Sequence, residues 1–565
     1  MNVLQRWRLN AERLAWRGDQ PQVMRMALWI IPLLFGLLSV KLGQDYNWDL
    51  RNYHLYNAFA FLNGKMAIDL APAQIQTYFN PTIDLLYYGL VKVLPGPVVG
   101  FIMGVLQGLN FILLVVIARA LLPAGVDGGR TRLPLLLALA GMLGNGFISE
   151  FGNTMGDNLT ALAVLGALAL VLRQWPRLQG GAGAATLSCA GVVMGLGVGL
   201  KLTVAVFALA LCLALLALPL RIVGRLRAAF VFGIGVLLGM AISGGHWYWK
   251  MWTLFGNPLF PQFNSVFHHP LAGPMSVFDT RFLPHGIEYL LWPVIAFIHP
   301  LRVSEIQIAN PIWMVLYAAA AALLVKALLR HRGGAPAAQA GVPDRRVRMA
   351  AVFFALSYVI WMVVFGIYRY LIPAELLAPL MLWLLMHSLL PRSVSGKVTL
   401  MLLLCIIASN VPRKNWGYLA WAGTSFHAET PTFADPAQSL VLTVQHDMPV
   451  GWLVTMFPPQ LAFAALGSNF PESPAYRQRV ATMMAARSGP VYAMMDASGI
   501  QVDATLTAGL KAQAVHKDHE LLNGATKVLS GYGLALDANS CTQRPAFIGA
   551  HRYYYQLCQV HTLAR

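Results

Sequence analysis

The chain has 565 residues, of which 57% are hydrophobic and only 11% are charged. Soluble domains carry about 25% charged residues, so this composition excludes a wholly soluble protein and predicts that most of the chain lies in a membrane. The formal charge of +18 does not indicate nucleic-acid binding, because the basic residues flank apolar segments, as the positive-inside rule predicts for membrane proteins. We therefore expect no nucleic-acid partner.

The first 25 residues form a polar, arginine-rich segment ahead of the first apolar segment. No small-residue cleavage site follows that apolar segment, so we do not interpret the N-terminus as a removed secretory signal. Residues 1–25 instead predict a basic amphipathic segment at the cytoplasmic face.

Apolar segments with basic flanks predict about 11 membrane crossings between residues 26 and 410. They are residues 26–43, 98–122, 133–148, 159–172, a helical hairpin within 184–220, then 229–245, 311–329, 349–365, 371–390 and 398–409. The segment 184–220 has basic residues on both flanks, so it must cross twice, and its turn places Lys201 on the outer side. The predicted outer loops are 44–97, 149–158 and 246–310.

Two weaker apolar segments lie within the outer loops. Residues 81–95 predict an amphipathic helix at the outer surface, with Asp84 and Lys92 on its polar face. Residues 285–300 contain two prolines and predict a partly immersed segment rather than a full crossing.

Residues 411–565 have ordinary polarity and predict an α/β domain. The predicted strands are 439–445, 451–457, 490–495 and 553–560, and the predicted helices are 476–487 and 508–517. Cys541 and Cys558 lie in this part, and on the oxidising side of a membrane they predict a disulfide. The fold class is therefore a polytopic α-helical membrane protein with a C-terminal periplasmic α/β domain. The predicted location is a bacterial inner membrane, with the N-terminus in the cytoplasm.

The predicted topology places acids and cations from separate loops on the outer face. They are Asp45, Asp49, Tyr53 and His54 in the first outer loop, Glu150 and Asp157 in the second, then Lys201, Arg302 and Arg369. Each also has a structural explanation, since Asp157 suits a helix start and Lys201 or Arg369 suits an interface anchor. Together they suit sugar transfer from a lipid-linked phosphate, in which a carboxylate accepts a proton and cations stabilise the leaving phosphate. Placing these groups on opposite sides of the anomeric carbon gives inversion.

Four short stretches resemble the GT-C superfamily of polytopic glycosyltransferases. They are residues 49–65 (DLRNYHLYNAFAFLNGK), Asn80-Pro81, residues 150–157 (EFGNTMGD) and residues 199–203 (GLKLT). The superfamily includes polyprenyl-phosphate-mannose transferases, protein O-mannosyltransferases, aminoarabinose transferases and oligosaccharyltransferases. The resemblance implies a GT-C-like catalytic domain over 26–410. It also implies an inverting glycosyltransferase that moves a sugar from a polyprenyl-phosphate donor in the membrane lipid to a glycan, lipid or protein acceptor.

The resemblance also implies roles for individual residues. Asp49 would be the catalytic base, with Asp45 as the alternative because the two acids stand four residues apart rather than adjacent. Lys201, Arg369 and Arg302 would bind the donor phosphate. The acceptor would be positioned by Glu150, Asp157, Tyr53 and His54. A monophosphate donor needs no cofactor, whereas a diphosphate donor favours a divalent Mg²⁺ or Mn²⁺ ion, so we assign no metal ligands.

Two other functional classes remain open on the sequence. An O-antigen polymerase or ligase-like enzyme would also use lipid-linked sugars, but would depend on arginines of the outer loops. A membrane transporter would carry ionisable residues at the midplane of broken helices and show repeat symmetry.

Overall fold

The computed structural model describes residues 20–123, 131–179, 182–275, 279–332, 344–409, 414–444, 446, 448–498, 500 and 508–563. Residues 1–19 of the predicted cytoplasmic segment lie outside the described residues, as do residues 410–413 at the predicted domain boundary.

Among the described residues, seven helices are long and apolar enough to cross a membrane. They are Pro21–Leu42, Gly96–Leu121, Ile222–Phe255, Ile312–Leu329, Arg345–Val364, Tyr368–Leu389 and Arg392–Ser409. Shorter apolar helices are Arg132–Met142, Ala184–Leu200, Leu202–Ala217 and Glu288–Ile298. These helices support a multi-pass helical membrane protein, and the count of about 11 crossings stays a prediction.

Several predicted crossings consist of two helical pieces or have shifted ends. The predicted segment 98–122 comprises Gly96–Gly108 and Asn110–Leu121. The predicted segment 133–148 comprises Arg132–Met142 and the short helix Asn145–Ser149. The predicted segment 159–172 begins two residues earlier, as Asp157–Arg173.

The segment 184–220 breaks at Lys201, between Ala184–Leu200 and Ala205–Ala214. A Cβ on Gly191 would lie 2.2 Å from the carbonyl oxygen of Phe232, and one on Gly199 would lie 2.2 Å from Ser243 Oγ. These contacts advance together along Ala184–Leu200 and Ile222–Phe255, so the two helices run in the same direction, packed closely through small residues. The intervening helix Ala205–Ala214 must therefore run in the opposite direction, as the predicted hairpin requires.

The predicted outer loop 246–310 begins with helix rather than with irregular chain. The helix Ile222–Phe255 continues through the aromatic stretch HWYWKMWTLF and ends at Gly256, which adopts a left-handed conformation with φ 59° just before Asn257-Pro258. Aromatic residues suit a membrane interface, but they do not end a helix; the Gly and Pro that follow do. The rest of this region includes the helices Asn264–Phe267 and Glu288–Ile298.

The first predicted outer loop, residues 44–97, is mostly helical. A π-helical turn, Leu50–His54, leads into Leu55–Leu62, and three 3₁₀ turns precede the helix Asp84–Val93. The prediction that Asp84 lies on a solvated face is wrong, because Asp84 is only 4% exposed. It shares the buried face of its helix with Tyr87 and Tyr88, which are three and four residues further along.

The C-terminal part forms a separate sheet domain. Its seven strands lie in the order β3-β8-β9-β6-β4-β5, with β7 also paired to β9. They are β3 Phe426–Ala428, β4 Leu440–Val444, β5 Ala462–Leu466, β6 Val491–Asp496, β7 Leu534–Leu536, β8 Thr542–Ile548 and β9 His551–Thr562. β4 pairs in parallel with β5 and β6, and the other pairs are antiparallel. The domain helices are Gly451–Val454, Pro474–Ala485 and Ala508–Ser530, and a disulfide joins Cys541 to Cys558.

The predicted strand 451–457 is wrong, because its first residues form the helix Gly451–Val454. A Cβ on Gly451 would lie 1.8 Å from the carbonyl oxygen of Asn52. The segment therefore packs directly on the first outer loop instead of joining the sheet. A two-stranded pairing of β1 Gln44–Asp45 with β2 Tyr418–Leu419 makes a second link between the membrane part and the C-terminal part.

Candidate functional site

The site is assembled where several helices begin or end. Asp49 immediately precedes the π-helical turn Leu50–His54, and Arg369 lies in the 3₁₀ turn Tyr368–Leu371 that opens a long apolar helix. Arg369 Nη1 donates to Asp49 Oδ2 at 2.7 Å, joining residues 320 positions apart in the sequence. The guanidinium also lies over the rings of Tyr370, at 5.2 Å, and Trp416, at 5.6 Å.

A second ion pair lies beside the first. Lys201 Nζ donates to Asp157 Oδ2 at 2.5 Å and to the carbonyl oxygen of Met155 at 2.7 Å. The same ammonium lies 5.3 Å from the ring centroid of Tyr370, the ring that also contacts Arg369. Tyr370 therefore lies between the two ion pairs and makes them one cluster.

The electrostatics of Asp49 reflect this cluster. Burial opposes ionisation of its carboxyl, but the interactions with Arg369, His54 and Lys201, of which that with Arg369 is the largest, outweigh burial and lower the pKa of Asp49. Asp49 is therefore a carboxylate at neutral pH, which is the form that accepts a proton.

Asp45 has a different environment from Asp49. Its two carboxylate oxygens accept hydrogen bonds from the backbone and side chain of Asn47 and from the backbone and hydroxyl of Thr154, at 2.7–3.0 Å. Burial raises the pKa of Asp45, and these hydrogen bonds only partly offset it. Asp45 thus ties the first outer loop to the second, and its oxygens are already occupied.

Glu150 lies wholly inside the protein near the same cluster. Neither carboxylate oxygen has a hydrogen-bond partner among the described residues. Burial, reinforced by the negative charge of Asp157, raises the pKa of Glu150 well above its usual value, while Lys201 and Arg369 act in the opposite direction. Burial therefore favours the protonated form of Glu150, which sets it apart from Asp49.

Tyr53 and His54 lie in the π-helical turn that follows Asp49, with their ring centroids 4.1 Å apart. His54 Nδ1 lies 2.6 Å from Asp84 Oδ1, and both side chains are buried. Sequence reasoning missed Asp84, although its spacing to Tyr87 and Tyr88 placed it on the apolar face of its helix and was the available signal.

Arg302 pairs with Glu288 rather than with an acid of this cluster, and its phosphate-binding role stays a prediction. It makes a two-pronged ion pair with Glu288, at 2.9 and 3.1 Å, and its side chain is partly exposed. The acid that instead approaches Arg369 from the same loop is Glu305, at 3.8 Å. The two residues lie only three positions apart, so sequence alone gave no basis for choosing between them.

Glu375 stabilises the turn that carries Arg369. This buried carboxylate accepts from the backbone N–H groups of Gly146 and Phe147, at 3.0 and 2.9 Å, and from Tyr368 Oη at 3.0 Å. Asn310 also donates to Glu375. Glu375 was not assigned a role from the sequence, because its partners Gly146, Phe147 and Asn310 are distant in the chain.

The acids of the cluster do not fit a divalent cation. Among the described residues, no group of three or more His, Cys, Asp and Glu side chains is arranged to hold a metal ion. Asp157 is already bonded to Lys201, and Asp49 to Arg369. We therefore derive no catalytic step through Mg²⁺ or Mn²⁺.

The arrangement offers an ionised carboxylate bonded to Arg369, with Lys201 in the same cluster and the ring of Tyr370 in contact with both cations. It can accept a proton at Asp49 and bind an anionic oxygen at Arg369 and Lys201.

No model of a known protein family matches the chain, and no curated protein matches it.

Proposed function

We propose that the protein is an inverting glycosyltransferase of the GT-C type. It would transfer a sugar from a polyprenyl-phosphate donor to a glycan, lipid or protein acceptor at the periplasmic face of a bacterial inner membrane. The proposal depends on one observation above all, the 2.7 Å contact between Asp49 and Arg369 in the same cluster as Lys201 and Asp157.

The topology in this proposal has about 11 crossings, a cytoplasmic N-terminus and a periplasmic C-terminal domain. The positions of the helix ends that carry the cluster support this topology. Asp49 follows the helix Pro21–Leu42, Lys201 follows Ala184–Leu200, Asp157 opens Asp157–Arg173, and Arg369 lies at the start of Tyr368–Leu389. Because these side chains meet, their helix ends lie on one side of the protein. Charged groups are tolerated at helix ends, where a lipid headgroup also lies.

In the proposed reaction an acceptor hydroxyl oxygen attacks the anomeric carbon, and Asp49 takes the hydroxyl proton. The bond between the anomeric carbon and the phosphate oxygen breaks, and its electron pair stays on the phosphate. Arg369 and Lys201 stabilise that negative charge, which is the interaction that strengthens in the transition state. Attack opposite the leaving phosphate inverts the anomeric configuration.

Asp49 is a better candidate for the base than Asp45 for two reasons. Asp49 is the more exposed, at 8% against 3% for Asp45, so a substrate reaches it more easily. The oxygens of Asp45 already accept hydrogen bonds from Asn47 and Thr154, so using Asp45 as the base would disrupt the link between two loops.

The test is sugar transfer from labelled polyprenyl-phosphate sugars in proteoliposomes. We expect Asp49→Asn to lower turnover by about 10²–10⁴-fold, the usual contribution of general base catalysis. Arg369→Gln should also lower turnover, because it removes a cation that stabilises the leaving phosphate. The matched control is Asp518→Asn on the helix Ala508–Ser530, far from the cluster in the chain.

Full turnover by a folded Asp49→Asn variant would disprove the assignment of the base. Movement of intact donor across the bilayer, without transfer of its sugar, would favour a transporter instead.

A further inference from the structure

A cleft in the C-terminal sheet domain has the size of a ligand site. Its volume is about 690 Å³, within the roughly 300–1,000 Å³ typical of sites for small ligands. It is lined by the helix Pro474–Ala485, the start of β6, the turn Gly531–Gly533 before β7, and the end of β9. None of the residues proposed for sugar transfer lines it.

The helix Pro474–Ala485 presents one side to this cleft. The lining residues on the helix recur at spacings of three and four, which places their side chains on one side. They are Arg477, Val480, Ala481, Met484 and Ala485. The cleft is therefore built on a regular helix face rather than on loops alone.

The cleft combines an apolar floor with polar residues. Val480, Leu534 and Val560 line it and are each at most 5% exposed, so they form its floor. Polar residues that also line it, and that are exposed, are Gln559, His561 and Thr562. A ligand in this cleft meets both an apolar surface and hydrogen-bonding groups.

Arg477 supplies the permanent positive charge of the cleft, and Tyr532 positions it. The guanidinium lies 5.2 Å from the ring centroid of Tyr532. Tyr532 Oη donates to Glu472, whose other carboxylate oxygen accepts from the backbone N–H of Gly467 at 2.7 Å. Arg477 Nη1 makes a long hydrogen bond, 3.4 Å, to the carbonyl oxygen of Gly531. That bond uses one of the five N–H groups of the guanidinium, so the side chain is held in place and can still bind an anion.

The residues of the cleft indicate the class of its ligand. Among the described residues that line it, none is acidic, so Arg477 attracts an anion without competition from the lining. Arginine binds carboxylate and phosphate groups through paired N–H donors. A sugar that carries such a group also has an apolar face of C–H groups for the floor and hydroxyls for Gln559 and Thr562. An acyl chain would cover the same floor but leave the guanidinium without a partner, which is unfavourable.

The cleft lies at the end of β6 that is remote from the first outer loop. Val491, at the start of this strand, lines the cleft. The charge of Asp496, at the other end of the strand, acts on Arg51 in the first outer loop. With a rise of about 3.3 Å per residue, the two ends of β6 lie about 17 Å apart. A ligand in the cleft therefore does not occupy the cluster around Asp49.

We propose that this cleft is a second carbohydrate site, which binds an acidic sugar unit with its carboxylate or phosphate group on Arg477. The inference goes beyond the proposed function, because no step of sugar transfer uses the cleft. In the proposed enzyme the cleft would hold the acceptor glycan by a unit apart from the one that receives the sugar. That role rests on the proposed function, whereas the binding itself does not.

The test is the binding of two matched disaccharides to the full-length protein in lipid nanodiscs, measured by isothermal titration calorimetry. One disaccharide contains a glucuronic acid unit, and the other has glucose in its place. We expect wild type to bind the acidic disaccharide about 10-fold or more tightly than the neutral one, and Arg477→Ala to lose that preference, as removal of a charge-assisted hydrogen bond predicts. The affinity for the neutral disaccharide should not change in Arg477→Ala.

Two further variants complete the test. Arg479→Ala is the matched control, because Arg479 does not line the cleft and two helical residues turn the side chain by about 200°. Ala481→Trp fills the cleft from an exposed position, so it should weaken the binding of both disaccharides. Thermal unfolding at the wild-type temperature shows that each variant is folded.

Several results would overturn the inference. They are equal affinity of wild type for the two disaccharides, no binding of either, an effect of Arg479→Ala as large as that of Arg477→Ala, or unchanged binding in folded Ala481→Trp. Failure of the proposed function gives a different result. A protein that transfers sugar but does not bind the acidic disaccharide overturns only the carbohydrate site. A protein that binds the acidic disaccharide at Arg477 but transfers no sugar from any donor overturns only the proposed function.

Discussion

The buried lysine Lys65 gives the sharpest test of how the C-terminal domain is held on the membrane part. Its side chain is 0% exposed, and its ammonium lies 3.0 Å from Asp69 Oδ1. The same ammonium donates to the carbonyl oxygens of Pro459 and Leu461, at 3.1 and 2.5 Å. A cation from the first outer loop therefore binds the backbone of the sheet domain directly.

The substitution Lys65→Met keeps the apolar part of the side chain and removes the charge. Asp69 would keep hydrogen bonds from Tyr56 Oη, at 2.8 Å, and from the backbone N–H of Phe463, at 2.9 Å. The carboxylate of Asp69 would, however, have no cation beside it. Breaking a buried ion pair in this way lowers the free energy of unfolding by about 3–5 kcal/mol. Protonation of Asp69 limits that loss, so we expect a value at the lower end.

The double variant Lys65→Met/Asp69→Asn removes both charges. It should recover part of the lost stability, because no unpaired charge remains in the interior. The assay is thermal unfolding of detergent-solubilised protein at pH 7.5, followed by tryptophan fluorescence, together with limited proteolysis between the two parts. Lys527→Met is the matched control, since Lys527 is exposed on the helix Ala508–Ser530.

Two results would refute this reasoning. Lys65→Met could unfold at the same temperature as Lys527→Met, in which case the buried ammonium does not hold the interface. Alternatively, the double variant could be less stable than Lys65→Met, in which case the pair is not coupled as its geometry indicates.

Three further predictions concern other parts of the fold. Burial, opposed by Lys65 and three hydrogen bonds, raises the pKa of Asp69 from 3.8 to about 6. The contribution of Asp69 to stability is therefore present below pH 3.8 and is lost as the pH rises through 6. The unfolding temperature of wild type relative to Asp69→Asn should fall over that pH range, and a constant difference would contradict this prediction. Gly199→Ala should destabilise the protein by about 1–3 kcal/mol, because the new Cβ would lie 2.7 Å from the carbonyl oxygen of Met240. The control in the same thermal unfolding assay is Gly233→Ala, because no atom lies within 4 Å of a Cβ at that position. The double variant Cys541→Ser/Cys558→Ser should lower the free energy of unfolding of the sheet domain by about 3 kcal/mol, measured by denaturant unfolding. A double variant as stable as the control Cys189→Ser would contradict this prediction.

Local sequence patterns predicted much of the membrane part. Hydrophobicity acts locally, and a run of about 20 apolar residues forms a spanning helix wherever its neighbours lie. The predicted segments 311–329 and 371–390 therefore end within three residues of the helices Ile312–Arg332 and Ile372–Leu389. The break at Lys201 followed from charge alone, because an unpaired lysine within a crossing is unfavourable.

Local patterns failed where two surfaces meet. The strand Ala462–Leu466 (AFAAL) is buried along its whole length, so it lacks the alternation that identifies a half-exposed strand. The segment Gly451–Val454 reads as a strand, but it is helical where it packs on Asn52. Lys65 lies in a polar stretch of the first loop, and only its carbonyl partners at Pro459 and Leu461 explain why it is buried.

Composition, apolar segments and the residue types at helix ends are local properties, so they predict the class of the protein and the kinds of groups in its candidate site. Which of those groups meet depends on the fold. It brought Arg369 to Asp49 and Lys201 to Asp157, and it left Arg302 with Glu288. It also made Asp45 a link to Thr154 and placed Asp84 in contact with His54. These outcomes depend on contacts between residues far apart in the chain, and no local pattern specifies such contacts.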